Sequence, residues 1–238
     1  MIELRPFDKL GKSNHGWLNA NFHFSFAEYR DPKRVHWGAL RVWNNDRIAP
    51  NSGFPPHPHR DMEIVTYVIK GAITHEDHLG NQGRTEAGQI QVMSAGSGIQ
   101  HAEYNKENAE TELFQIWILP NKDGVAARWE TVQFPSDARD GKLAPLASGR
   151  GHEGAIPLHA DGALYAGSLK AGQTIRQKLD GKPAYLVPAK GKIEVSGGNG
   201  KPVTANARDG VAVVDQAEIE LKAIEDSEIV LVETDKLN

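Results

Sequence analysis

Histidines and glutamates two residues apart are where this chain could do chemistry. His57-Pro58-His59 and His101-Ala102-Glu103 each carry donor side chains at positions i and i+2, and side chains so spaced leave the same face of a β-strand. Two such pairs on neighbouring strands can aim three imidazole nitrogens and one carboxylate at a single divalent ion. Pro58 removes one backbone donor, which is tolerated at the first residues of a strand or on a sheet edge, and the pair is read as opening a strand. Glu63 has the same strand parity as His57 and His59. If that strand is regular it faces the same interior, so parity leaves both Glu63 and Glu103 open as the carboxylate.

The chain has no cysteine, which excludes disulfides, thiolate-bound zinc, iron–sulfur clusters and a cysteine nucleophile together. Any metal must therefore sit on nitrogen and oxygen. Three neutral imidazoles and a carboxylate leave a divalent ion a local charge of about +1 and an octahedral ion two adjacent open positions, which suit a bidentate oxygen ligand or dioxygen. Fe(II), Mn(II), Ni(II), Co(II) and Cu(II) all fit such donors.

The elements that must position these groups read as strands. Period-two runs rich in β-branched and aromatic residues occupy 39–43, 63–69, 88–93 and 112–119, separated by glycine-bearing turns such as Lys70-Gly71 and Gly80-Asn81. From Pro120 to about Gly154 the text turns to Pro, Gly, Asp and Ser with little periodicity, as in a linker or crossover. Strand-like runs resume at 163–167, 184–187, 192–195, 211–214 and 229–233. A weak echo links the halves: 67–71 and 186–191 are each a strand ending on a glycine turn. Short strands at this spacing indicate an antiparallel sandwich or barrel.

With 238 residues the chain accommodates one or two domains, and two is the starting expectation. Its net charge of −4 and the lack of a Lys/Arg-dense block argue against direct nucleic-acid binding. No apolar run long enough to cross a membrane and no cleavable leader is visible, so the expectation is a cytoplasmic protein with no membrane partner.

The spacing of His57-x-His59-x3-Glu63 and His101-x3-Asn105, with Gly53, Gly71 and Gly88 around them, resembles the two motifs of the cupin superfamily. The resemblance sharpens over 24–32, 40–42, 57–67, His75-Glu76-Asp77 with Gly80-Asn81, and 93–103. Across roughly residues 15 to 120 this text is similar to the pirin family, whose members are bicupins. The resemblance implies an all-β fold of two cupin-type antiparallel β-barrels of jelly-roll kind. The expected division is an N-terminal metal-binding cupin domain over 1–130, a linker or crossover over 131–154, and a C-terminal cupin domain without metal ligands over 155–238.

The resemblance also implies one mononuclear metal, usually iron, on His57, His59, His101 and Glu103. Ordinary cupins would use Glu63 as the carboxylate; with Glu103 as ligand, Glu63 is released to act as the catalytic base. Pirin-like proteins of bacteria are associated with quercetin 2,3-dioxygenase activity, so the implied reaction is cleavage of a flavonol by dioxygen. The alternative implied by the family is a redox-responsive metal protein that binds a transcription factor or other regulatory partner without turnover. Phe54, Met93, Gln115 and Trp117 are candidates for the pocket wall, with ordinary core packing the better expectation for Met93 and Trp117. His75 and His78 are read as a solvated turn or a hydrogen bond to Asp77, and His15, His23 and His36 have no evident partner.

Overall fold

The computed structural model describes residues 1–134, 136–198 and 200–237. Strands dominate, in two lobes. In the N-terminal lobe seven strands lie side by side in the order Arg128–Val132, Ile90–Ser94, Glu63–Lys70, Thr111–Ile118, Leu40–Ile48, Leu18–Phe22 and Gly11–Asn14. A four-stranded sheet covers it, ordered Ser52–His59, Ile99–Asn105, Ala72–Asp77 and Gln82–Glu86. The C-terminal lobe repeats this plan with a second seven-stranded and a second four-stranded sheet. The architecture is thus a bicupin whose lobes are sandwich-like pairs of sheets rather than closed barrels.

Strand Glu63–Lys70 shows why the lobes hold together. Ile64, Thr66 and Val68 face the inside of their own sandwich, while Val65, Tyr67 and Ile69 join one apolar cluster with Leu164, Tyr185, Val187 and Val230 of the second lobe. Apolar residues on both faces are the signature of a strand buried on both sides. Trp43, Tyr67, Phe114 and Tyr185 are fully buried in this inter-lobe layer, and a large side chain so buried contributes roughly 1.5–3 kcal/mol. The lobes are also interleaved by sequence, because Ile2–Arg5 pairs with Gly210–Val213 and so belongs to the C-terminal sheet. The stretch expected as a linker holds strand Ala144–Ser148, which pairs with Gly162–Leu169.

The echo between the halves has a structural counterpart. Gly71 and Gly191 both end central strands at φ 76° and 77°. A Cβ on either would collide with a hydroxyl-bearing residue, Thr111 or Ser227. Each hydroxyl bridges the backbone N–H and C=O of the residue after its glycine, Ala72 or Lys192.

The lobes differ in what fills them. The C-terminal sandwich holds one continuous apolar cluster that includes Leu186, Ile193, Val195, Leu221 and Leu231. The N-terminal interior is split into two small clusters, one around Phe22, Ile48 and Ile73 and the other around Ile64, Met93 and Ile99. The polar side chains described next belong to that N-terminal sandwich.

Candidate metal centre

His57 and His59 end an edge strand rather than opening one. An edge tolerates the prolines of Ser52–His59, which cannot donate to a ladder. Pairing with Ile99–Asn105 puts His57 opposite His101 but Phe54 opposite Glu103, so Pro55 and Pro56 bulge against the single residue Ala102. That bulge brings Phe54 and His57, three residues apart, to the same cavity.

The three imidazoles converge. His57, His59 and His101 each offer a ring nitrogen within 4.8 Å of the others. The hydrogen-bond network fixes three tautomers. His57 Nδ1 lies 2.8 Å from the Pro55 carbonyl and must donate to it. His75 Nε2 donates to Asp77 Oδ2 at 2.9 Å, so its Nδ1 is an acceptor and receives the proton of His101 Nδ1 at 3.3 Å. The Nε2 atoms of His57 and His101 therefore present lone pairs to one another, 3.1 Å apart. Two nitrogens bound at right angles to one ion at about 2.1 Å would lie about 3 Å apart. Burial, reinforced by His57, holds His59 down to about 4, and burial with the neighbouring imidazoles takes His101 to about 2. Both rings are neutral near pH 7, as ligands must be.

Glu103 sits beside this group. With His75 and His101 it forms a second set of donors within 4.8 Å of one another, and it lines the same cavity as His57 and His59. Its Oε1 accepts from Gln91 and, at 3.4 Å, from Thr66, and its Oε2 accepts from Gln115 at 2.9 Å. Those donors come from adjacent strands in register, since Gln115 pairs with Thr66 and Thr66 with Gln91. Despite them, burial raises the Glu103 carboxyl to about 7, so its charge calls for a cation. The three imidazoles, with the Glu103 carboxylate beside them, thus suggest a metal-binding site.

Glu63 is not brought to this site. Asp61, at φ 45°, turns the chain out of the four-stranded sheet, and Glu63 begins a strand of the other sheet. Strand parity therefore does not carry from His59 to Glu63, because the two residues lie on strands of different sheets. The Glu63 carboxylate accepts from Ser94 Oγ at 2.9 Å and lies by the His159 backbone of the second lobe. Burial raises its pKa, opposed by Ser94, His159 and Arg128.

His57 and His59 open onto a cavity of about 450 Å³ with aromatic walls that include Trp17, Phe54 and Trp117. Gln115 also lines it, whereas Met93 packs in the core with Ile64 and Ile99. Trp117 meets His59 edge-to-face at 5.1 Å. His15, without an evident partner in the sequence, sits at this cavity hydrogen-bonded to Ser13. His75 is buried rather than solvated, with Trp129 stacked on it at 4.7 Å. Asn44 and Asp46 line the cavity too. Their signal was an Asn-x-Asp pair on the same strand parity as Leu40, Val42 and Ile48.

The chain has known relatives in sequence and in fold. Residues 3–118 match the family described as pirin, and residues 145–234 match the quercetinase C-terminal cupin domain. The chain is 55% identical to a pirin-like protein of Caulobacter vibrioides, over 98% of this chain and 99% of that one. It is 41% identical to the quercetin 2,3-dioxygenase of Escherichia coli K12, over 97% of both. The crystal structure of the bacterial pirin YhhW from Escherichia coli in complex with nickel(II) superposes with a TM-score of 0.91 at 36% identity, covering all of both chains.

Proposed function

The chain belongs to the pirin family, and on that premise we propose that it is a mononuclear metal-dependent dioxygenase that opens a flavonol such as quercetin with dioxygen. The carrying observation is the convergence of the His57 and His101 Nε2 lone pairs, 3.1 Å apart, at an aromatic-walled cavity of about 450 Å³. His57, His59, His101 and Glu103 are the proposed ligands, and Fe(II) is the proposed ion. When bound, such an ion supplies Lewis acidity toward a coordinated hydroxyl and open positions for oxygen donors.

The residues of the chain supply the rest. The aromatic walls hold a planar ligand and keep water from it. Thr66, Gln91 and Gln115 fix the Glu103 carboxylate, so that little reorganisation is needed when it meets a cation. The Asp77–His75 pair fixes the tautomer of His101. Glu63 lies at the lobe junction and takes no part in this proposal.

Three names rest on relatives or on chemistry of this kind: the flavonol, dioxygen and iron. The Escherichia coli relative is named for quercetin, and the structure of the related pirin contains nickel(II). The test is direct. Iron-loaded protein should consume dioxygen and bleach the near-ultraviolet band of quercetin, and His57→Ala should abolish both. Unchanged turnover in that variant would remove the site from the reaction.

A further inference from the structure

Resting on the flavonol reading above, we infer that Asn44 and Asp46 form a hydroxyl-binding subsite that makes the cavity selective for polyhydroxylated aromatics over their singly hydroxylated analogues. Both side chains line the cavity that holds His57, His59 and Glu103. Each residue is 2% exposed, and neither Asn44 Oδ1 nor Asp46 Oδ1 has a hydrogen-bond partner among the described residues. A buried acceptor left without a donor costs about 1–3 kcal/mol, and more when it is charged. Such groups in a native fold call for a reason. A ligand that brings donors supplies one.

The placement fits a ligand anchored at the imidazoles. Asn44 lies directly across the sheet from Gln115, which holds Glu103, and Asp46 is two residues further along the same strand. The polar row is therefore continuous from the metal centre to the subsite. Around it the walls are aromatic, with Phe22, Phe26 and Trp17. A flat ligand with one hydroxyl at the imidazoles would be held by these rings, and its remaining hydroxyls would find unpartnered acceptors where Asn44 and Asp46 stand. Hydroxyl–acceptor bonds made in a desolvated site discriminate strongly, because an analogue without the hydroxyl leaves the acceptor unpaired.

The test compares quercetin with 3-hydroxyflavone, which keeps only the hydroxyl adjacent to the carbonyl. Binding is read from quenching of tryptophan fluorescence in the metal-loaded full chain without oxygen, so turnover does not enter. The wild type should bind quercetin at least about tenfold more tightly, as expected for a hydrogen bond to a charged or buried acceptor. Asp46→Leu should remove most of that preference while leaving 3-hydroxyflavone binding within about twofold, the scale of lost contacts without a lost hydrogen bond. Asp46→Asn, which keeps shape and an acceptor, should give an intermediate ratio. Metal content and circular dichroism of each variant establish that the fold and centre persist. Equal binding of the two compounds by the wild type, or a preference that survives Asp46→Leu, overturns the subsite. A preference that collapses in the variant without any oxygen consumption by the wild type would retain the subsite and reject the dioxygenase reading.

Discussion

His101 Nδ1 lies 3.3 Å from His75 Nδ1, and His75 donates its one ring N–H, at Nε2, to Asp77 Oδ2 at 2.9 Å. The two histidines therefore have one consistent proton arrangement, in which His101 turns an unprotonated Nε2 toward His57. Asp77 is itself held by the backbone N–H groups of Leu79 and Asn81 and by the Asn81 side chain. The hairpin after strand Ala72–Asp77 thus sets the orientation of a proposed ligand on the neighbouring strand.

From this chain of bonds, His75→Ala and Asp77→Asn should each weaken metal binding by about 10–100-fold, the usual effect of losing a partner that orients a ligand. Competition with a chelator would measure it. Affinity equal to wild type in both variants would mean that His101 is oriented by packing alone.

Gly83 lies opposite His75, and a Cβ there would sit 2.2 Å from the Trp129 ring that stacks on His75. Gly83→Ala should push Trp129 off His75, lowering stability by about 1–3 kcal/mol as overpacking does and loosening metal binding with it. Thermal unfolding and chelator competition on the same sample would check both. An unchanged affinity would separate the stacking from the centre.

The two glutamates should behave oppositely. Glu103→Gln removes the charge and turns an amide toward three donors, so metal per chain should fall well below wild type. Glu63→Gln can still accept from Ser94 and should keep the wild-type stoichiometry. Elemental analysis of the two variants decides, and equal metal content in both would count against Glu103 as ligand.

What the sequence made legible was local. Strand parity put His101 and Glu103 on one side, and the i, i+2 spacing paired His57 with His59. What it hid depends on sheet partners. The bulge at Pro55 and Pro56, the turn at Asp61 and the swap of Ile2–Arg5 into the second lobe are settled by pairing across the sheet. Glu63 was misdirected by a change of sheet that no periodicity records. Thr66, Gln91, Asn44 and Asp46 went unseen because a polar residue within a strand gains functional meaning only when its cross-strand neighbours are known.

His23 is fully buried between the lobes, with Nδ1 2.8 Å from the Tyr185 hydroxyl. Burial, then Arg5 and Arg34, lower its pKa to about 3. Unfolded, the group titrates at about 6.5, so between those values the unfolded chain binds a proton that the folded chain refuses. Stability from this residue is complete above about pH 6.5 and is lost as pH falls toward about 3, by up to roughly 1.4 kcal/mol per pH unit. His23→Gln can still bond Tyr185 but does not titrate. The wild type should therefore lose roughly 2 kcal/mol more than the variant between pH 7 and pH 5, read from urea unfolding of the metal-free proteins. His59 and His101 push in the same direction and the raised carboxyls of Asp46 and Glu103 in the opposite one, but all four are common to both proteins and cancel in the difference. Parallel pH profiles would mean that His23 titrates alike in the folded and the unfolded chain.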